Sequence, residues 1–418
     1  MISTWRRRAG LGESNKLKQQ QQPPDMELAI PTHFLCPISL QLMKDPVILS
    51  SGITYDRDSI DEWLQNGNYT CPVTSQILRS FDQVPNQAIR KMIQDWCVDN
   101  RQYGVERIPT PKVPVTPFEV SEILSRITAS TLQGDQNQCL QMLHTIDKLS
   151  AEGERNRQCI LANGTAGVLA ASFDAFASSS VEENTTLLEH ILSTINWMFP
   201  LGVEAHIYLG SPASLLCMVC FLNSGDLLRT QNAILALKEL LSIDQQYSEA
   251  LVQIEGVIQL LIKLIKQPIC STVTKSVLSV IFYMLSSSSA SNDKVQSTLV
   301  EMGLASLLLE ILVDSERSIC EGALGVFDRL CDCEEGREKA FNNALTMPVL
   351  VKKVLRVSEL ATEFSVSAIW KLCRYEKREE RSALVEALQV GAFQKLLLVL
   401  QDVLSALIPF MICQKSRS

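Results

Sequence analysis

The chain has 418 residues, a net charge of −8, and 46% hydrophobic against 20% charged side chains, so it has room for two or three domains, or for one small module and a long repeat array. The acidic balance excludes a global electrostatic case for nucleic-acid binding. An aromatic content of 6% suits packed helices better than a β-sandwich, and thirteen cysteines set mostly in apolar stretches read as free thiols in a reducing compartment.

Residues 1–28 are polar and of low complexity, with four glutamines followed by Pro23 and Pro24, and the reading is a disordered tail. Arg6, Arg7 and Arg8 are compatible with a nuclear or membrane-surface signal, but a solvated tail is the favoured reading. No apolar core segment follows them, so a signal peptide is not expected, and no run of about 18 residues is apolar enough to span a bilayer. The expected location is cytoplasmic, with the nucleus or a peripheral membrane association left open.

Residues 29–103 are dense in turn signals. Pro46-Val47-Ile48-Leu49 and Ile53-Thr54-Tyr55 flank Ser50-Ser51-Gly52, which predicts a β-hairpin. Asp56 or Asp58 then caps a short helix over 59–65, with Gly67 just past its end. Pro85 and Asn86 open a second helix, on which Ile89, Met92, Ile93 and Trp96 recur at helical spacing. The module is near the lower size limit for a domain without disulfides or metal. Residues 104–118 hold four prolines in nine positions, between Pro109 and Pro117, and read as a semi-rigid spacer.

Residues 119–400 repeat. A small residue or turn precedes an apolar helix at positions 164, 210, 256, 303, 347 and 391, with gaps of 46, 46, 47, 44 and 44. Each unit carries a later helix of one kind, over 231–241, 274–285, 320–330 and 364–373. A period in the mid-forties with about three helices per unit marks an armadillo or HEAT array, whose units bury their apolar faces only by stacking. Cys217 and Cys220, despite a metal-like spacing, read as a buried helix face, as do Cys331 and Cys333. No carboxylate pair, phosphate loop or nucleophilic triad stands out in the repeats.

The motif Ile30-Pro31-Thr32-His33-Phe34-Leu35-Cys36-Pro37-Ile38-Ser39-Leu40 is followed by Met43-Lys44-Asp45-Pro46-Val47, Ser51-Gly52-Ile53-Thr54-Tyr55-Asp56-Arg57, Trp63, Cys71-Pro72-Val73-Thr74 and Pro85-Asn86. Together these resemble a plant U-box, and with the spacer around Tyr103-Gly104 and the helical array the chain is similar to the plant U-box/armadillo ubiquitin ligases, notably the stress- and defence-response branch. The implied fold is mainly α: a small zinc-free, RING-like α+β module, then an armadillo-type solenoid. A RING finger needs about eight Cys or His ligands, and this region has Cys36, Cys71, Cys97 and His33. A core with Leu40, Ile53, Tyr55, Ile60 and Ile89, and polar ties through Asp45, Asp56, Arg57 and Asn86, must replace the metal.

The resemblance implies a ubiquitin-protein ligase acting as a scaffold, without cofactor or covalent intermediate. Ile38, Trp63, Pro72 and Val73 would dock the ubiquitin-conjugating enzyme, although Trp63 also reads as a half-buried core residue. Cys36 has no His or Asn partner in the pattern and is structural. Ser75 stands where many relatives carry a basic residue that contacts both ubiquitin and the conjugating enzyme, and a serine cannot replace that charge. Polar or aromatic residues of the later helices, Asn196, Lys238, Tyr283, Arg329 and Lys371, are the candidate substrate contacts in the groove. The implied partners are a conjugating enzyme, ubiquitin and a protein substrate, with a homodimer left open. The alternative is a non-enzymatic armadillo adaptor with a weakened U-box. Residues 401–418 depart from the family with an apolar stretch interrupted by Pro409, which predicts an incomplete cap with an exposed patch.

Overall fold

A computed structural model describes residues 29–110, 114–286, 292–375 and 382–401, and the chain divides into two units, Met1–Val113 and Pro114–Ser418. The expectations for residues 1–28 and for the segment after 401 lie outside the described residues.

In the first unit two short apolar-rich runs form a hairpin of β1 (Pro46–Ile48) and β2 (Thr54–Asp56), paired with Val47 opposite Tyr55. Both of those side chains are fully buried. The turn closes through Gly52 at φ +77°, a left-handed conformation that glycine adopts without penalty. Helix α1 (Arg57–Gln65) follows directly. A short strand, β3 (Val84–Pro85), adds to β1 and gives the order β2-β1-β3. Pro85 therefore belongs to a strand rather than to the helix it was expected to open. Helix α2 (Gln87–Asp99) starts one residue after Asn86, whose side chain accepts from the Ile89 N–H at 3.1 Å.

Two details correct the sequence reading. The buried face of α2 is Arg90, Ile93 and Cys97, with Ile89 and Trp96 at its margins and Met92 exposed. Leu40 is no core residue: it is 73% exposed, because it holds a left-handed turn position at φ 56° that points it out of the loop. The stretch read as a spacer is attached at its ends. Ile108 is buried in the core of the first unit, and Val115 in the core of the second.

The second unit begins with α3 (Pro117–Gln133) and α4 (Gln136–Ala151). A capping box of Thr116 and Glu119, with Pro117 at the first helical position, fixes where α3 starts. Triplets follow: α5 (Glu154–Ala162), α6 (Thr165–Ser179) and α7 (Thr185–Asn196); then α8 (Val203–Leu209), α9 (Pro212–Leu222) and α10 (Leu227–Ile243). The next are α11 (Gln245–Val252), α12 (Val257–Lys266) and α13 (Ser271–Ser286); then α14 (Asn292–Glu301), α15 (Leu304–Asp314) and α16 (Arg317–Leu330). The last complete triplet is α17 (Glu334–Phe341), α18 (Thr346–Lys353) and α19 (Glu359–Arg374), and α20 (Ala383–Gln389) begins another. The last helix of each triplet packs on the last helix of the next, so α4, α7, α10, α13, α16 and α19 form one ladder.

The spacing glycines have two physical origins. Gly164, Gly256 and Gly303 cap their helices in the left-handed region. Gly210 has an ordinary φ of −81°, but a Cβ there would lie 2.0 Å from the Tyr247 ring, so close packing rather than backbone freedom demands glycine. One apolar cluster runs from Val115 to Ala392. Cys217 and Cys331 are buried in it, whereas Cys220 is exposed because the buried side of α9 runs through Cys217, Met218, Phe221 and Leu222.

Candidate functional site

The first unit contains two loops of the same construction. Residues 36–41 read Cys-Pro-Ile-Ser-Leu-Gln and residues 71–76 read Cys-Pro-Val-Thr-Ser-Gln. In the first, the Cys36 N–H donates to the Gln41 carbonyl and the Leu40 N–H to the Cys36 carbonyl, each at 2.8 Å. In the second, the Cys71 N–H donates to Gln76 and the Ser75 N–H to Cys71, again at 2.8 Å. Each loop is closed by a β-bridge, Leu35 to Leu42 and Thr70 to Ile77. Leu40 and Ser75 are twins at φ 56° and 57°. The loop repeat was present in the sequence and escaped notice because it is only six residues long.

The two cysteines anchor these loops from inside. Cys36 Sγ accepts from the Asp56 N–H at 3.3 Å, Cys71 Sγ accepts from the Thr74 N–H at 3.4 Å, and the Tyr55 hydroxyl lies 3.0 Å from Cys71 Sγ. The adjacent residues Tyr55 and Asp56 thus tie both loops to the end of β2. Burial pushes the Cys71 thiol up, yet polar neighbours, Thr74 and Tyr55 among them, together hold the thiol down at about 6. The Ser51 hydroxyl pulls in the same direction, although it lies outside good hydrogen-bond geometry. Burial and the Cys71 contact push the Tyr55 phenol up. For Cys36, burial again raises the thiol, while the N–H groups of Ser39, Asp56 and Ile38 pull it below its ordinary value.

The four docking candidates fall on this frame. Ile38 and Val73 occupy the same position in the twin loops, two residues after each cysteine. Val73 is 53% exposed, and Ile38 and Pro72 are half-buried. Trp63, on α1, packs its ring against the core and donates its indole N–H to the Thr70 carbonyl at 2.9 Å. It is therefore both a core residue and the strut that sets the second loop beside the helix. Ser75 is exposed at that loop's left-handed corner.

A charged brace holds the loops to the rest of the unit. Asp45 accepts from Arg57 Nε at 2.6 Å and faces Arg90 Nη1 at 3.7 Å, and both guanidinium groups are buried. Arg57 also reaches Gln83 at 3.0 Å, and Arg90 donates to the Pro109 carbonyl at 2.8 Å. Asp56, expected as a possible helix cap, instead turns its carboxylate to the Lys44 and Asp45 N–H groups at 2.7 and 2.8 Å. Asn86 donates to the Thr54 hydroxyl at 3.0 Å. Arg90 was missed because an arginine on a short helix reads as solvated unless its acidic partner, 45 positions earlier, is known to be close.

On the second unit, most of the groove candidates are engaged within the solenoid. Asn196 on α7 donates to Asn232 Oδ1 on α10 at 3.0 Å. Tyr283 sits edge-on to Phe282, and the Arg329 guanidinium stacks over the same Phe282 ring. Lys371 is neutralised between Asp328 and Asp332, at 2.8 and 2.7 Å, with its side chain largely buried. Lys238 is exposed. An aromatic and cationic cluster at the end of α19 went unread in the sequence: Arg374 stacks over the exposed Trp370, and Arg337 over the exposed Tyr375.

The comparisons with known proteins agree with this anatomy. A U-box domain model matches residues 30–102, and a model of the plant U-box protein ARM repeat region matches residues 119–406. U-box domain-containing protein 21 of Arabidopsis thaliana is 45% identical over 385 residues, covering 92% of this chain and 86% of that protein. E3 ubiquitin-protein ligase PUB22 of the same plant is 32% identical, covering 90% of this chain and 91% of its own. Among solved structures, a designed armadillo repeat protein is 18% identical over 61% of this chain and 100% of its own, with a TM-score of 0.46.

Proposed function

The chain belongs to the plant U-box ubiquitin ligases with an armadillo-repeat region, and from that premise we propose that Ile38, Trp63, Pro72 and Val73 dock a ubiquitin-conjugating enzyme while the ladder helices hold the protein to be modified. The carrying observation is the pair of twin loops, which present Ile38 and Val73 at equivalent backbone positions beside the Trp63 strut. Small apolar side chains on a rigid frame, flanked by a tryptophan, suit a compact hot spot.

The chemistry needs no acid, base or nucleophile from this chain. The conjugating enzyme brings ubiquitin as a thioester, and the ligase raises the rate by placing it beside a substrate lysine and restricting its conformations. Cys36 and Cys71 serve as hydrogen-bond anchors inside their loops, not as acyl carriers. Ser75 has no charge to offer the docked pair, which favours a ligase that depends on the choice of conjugating enzyme. Lys238, together with the exposed Trp370 and Tyr375 and the arginines stacked on them, supplies the accessible side chains for substrate contact. A stress- or defence-signalling role in the cytoplasm or nucleus rests on the resemblance to that branch.

A ubiquitination reaction with a panel of conjugating enzymes tests this reading. Ile38→Ala should lower chain formation at least about tenfold, the loss of one good hot spot, while the U-box stays folded despite the loss of a partial core contact. Trp63→Ala should lower it too, with some loss of stability. Full activity in Ile38→Ala, or inactivity of the unaltered chain with every conjugating enzyme, would sink the proposal.

A further inference from the structure

We propose that His144, Asp147 and His190 form a binding site for a divalent transition-metal ion of the zinc type, joining α4 to α7 on the ladder. One donor atom from each residue lies within 4.8 Å of the others. His190 Nε2 is 2.5 Å from Asp147 Oδ2, and the His144 and His190 rings meet edge to face with centroids 4.6 Å apart.

The repeat explains the convergence. His144 and Asp147 stand at i and i+3, on one side of α4. His190 follows His144 by 46 residues, the same spacing as the repeat, so it occupies the equivalent place on the next ladder helix. Two of the four histidines in the chain are thereby brought into contact. A simple ion-pair staple between α4 and α7 needs one histidine and one acid. The second imidazole packs on the first, and it also completes a three-donor set.

The donor chemistry selects the ion. Two imidazole nitrogens and a carboxylate suit zinc and its first-row neighbours, whereas calcium and magnesium prefer oxygen ligands. With metal–ligand bonds of about 2.1 Å, donors around the ion stand about 3.0–3.4 Å apart. His190 and Asp147 would separate by less than about 1 Å to admit it, and the exposed His144 ring would swing inward. The Thr194 hydroxyl, one turn after His190, lies 3.3 Å from Asp147 Oδ1 and can orient the carboxylate. The exposure of His144 leaves a coordination position open to water or to a side chain of a bound partner. The ion would fasten the first two rungs of the ladder.

Cobalt(II) titration of the full-length protein tests the site, because its absorption spectrum separates histidine and carboxylate ligation from binding at the cysteines. One equivalent should bind with a visible d–d spectrum and no thiolate charge-transfer band, and zinc should displace it. His144→Ala should abolish that equivalent; the side chain is exposed, so the variant should fold, as circular dichroism can check. Thr194→Val should weaken binding about tenfold. The proposal is overturned if the full-length protein binds no such equivalent. It is also overturned if His144→Ala binds cobalt as before, or if the bound cobalt shows only thiolate ligation.

Discussion

The two units reach stability by opposite means. The U-box gathers twelve buried apolar side chains among the described residues and ties its loops with contacts that reach far along the sequence. Asp45 alone faces partners 12 and 45 positions away. The armadillo unit instead repeats local helices on a shared apolar cluster, so each triplet depends mainly on its neighbours. Small size forces polar bracing on the first; a solenoid can grow by adding more of the same. Damage should therefore spread through the U-box and stay local in the solenoid.

The largest expected effect breaks the brace. Asp45→Ala leaves two buried guanidinium groups without their carboxylate and should cost about 3–5 kcal/mol. Hydrogen exchange should show the whole U-box losing protection while α10 to α19 keep theirs; protection lost in the solenoid as well would end the contrast. A core truncation in the solenoid is the matching experiment. Leu237→Ala, at a fully buried site on α10, should cost about 2–5 kcal/mol, with exchange rising in the adjoining triplets and not in the U-box.

Smaller effects sharpen the comparison. Ser75→Arg should raise chain formation by about an order of magnitude, or about 1.4 kcal/mol at the transition state, and leave substrate capture by the solenoid unchanged. The backbone already holds a left-handed non-glycine residue there, so the substitution adds no new strain. Smallest is the response to pH. Cys71 sits below its ordinary 9.0, at about 6, so between those values the unfolded chain binds a proton that the folded U-box does not. U-box stability should rise across that window and be lost as the pH falls through about 6, and Cys71→Ser should flatten the slope. In the solenoid, burial depresses His206 below 6.5, so its stabilising effect is full above that value and declines only under more acidic conditions. Thermal scans of the two units across pH, read by exchange, would distinguish the windows.

Much of this was legible in the sequence. The hairpin followed from Ser50-Ser51-Gly52 between two strand-like runs, and the solenoid from glycines and turns spaced in the mid-forties. What escaped was nonlocal. Strand β3 has only two residues and pairs with a strand nearly forty positions earlier. Leu40 is apolar and looked like core, but a left-handed turn sends it outward. Lys371 looked like a groove cation because nothing local reveals that Asp328, on the preceding ladder helix, neutralises it. The Cys-Pro motifs of the two loops were legible, whereas the strut role of Trp63 needed the Thr70 carbonyl in place.

The twin loops carry one more consequence. Each is closed by its own backbone bonds and held from within by its cysteine, so the residue at its tip contributes little to keeping the loop in shape. Under the proposed docking, single substitutions at the exposed positions 73 and 75 would change partner choice at little cost to the fold. A family built on this frame could diversify its enzyme pairings quickly while its architecture stayed fixed.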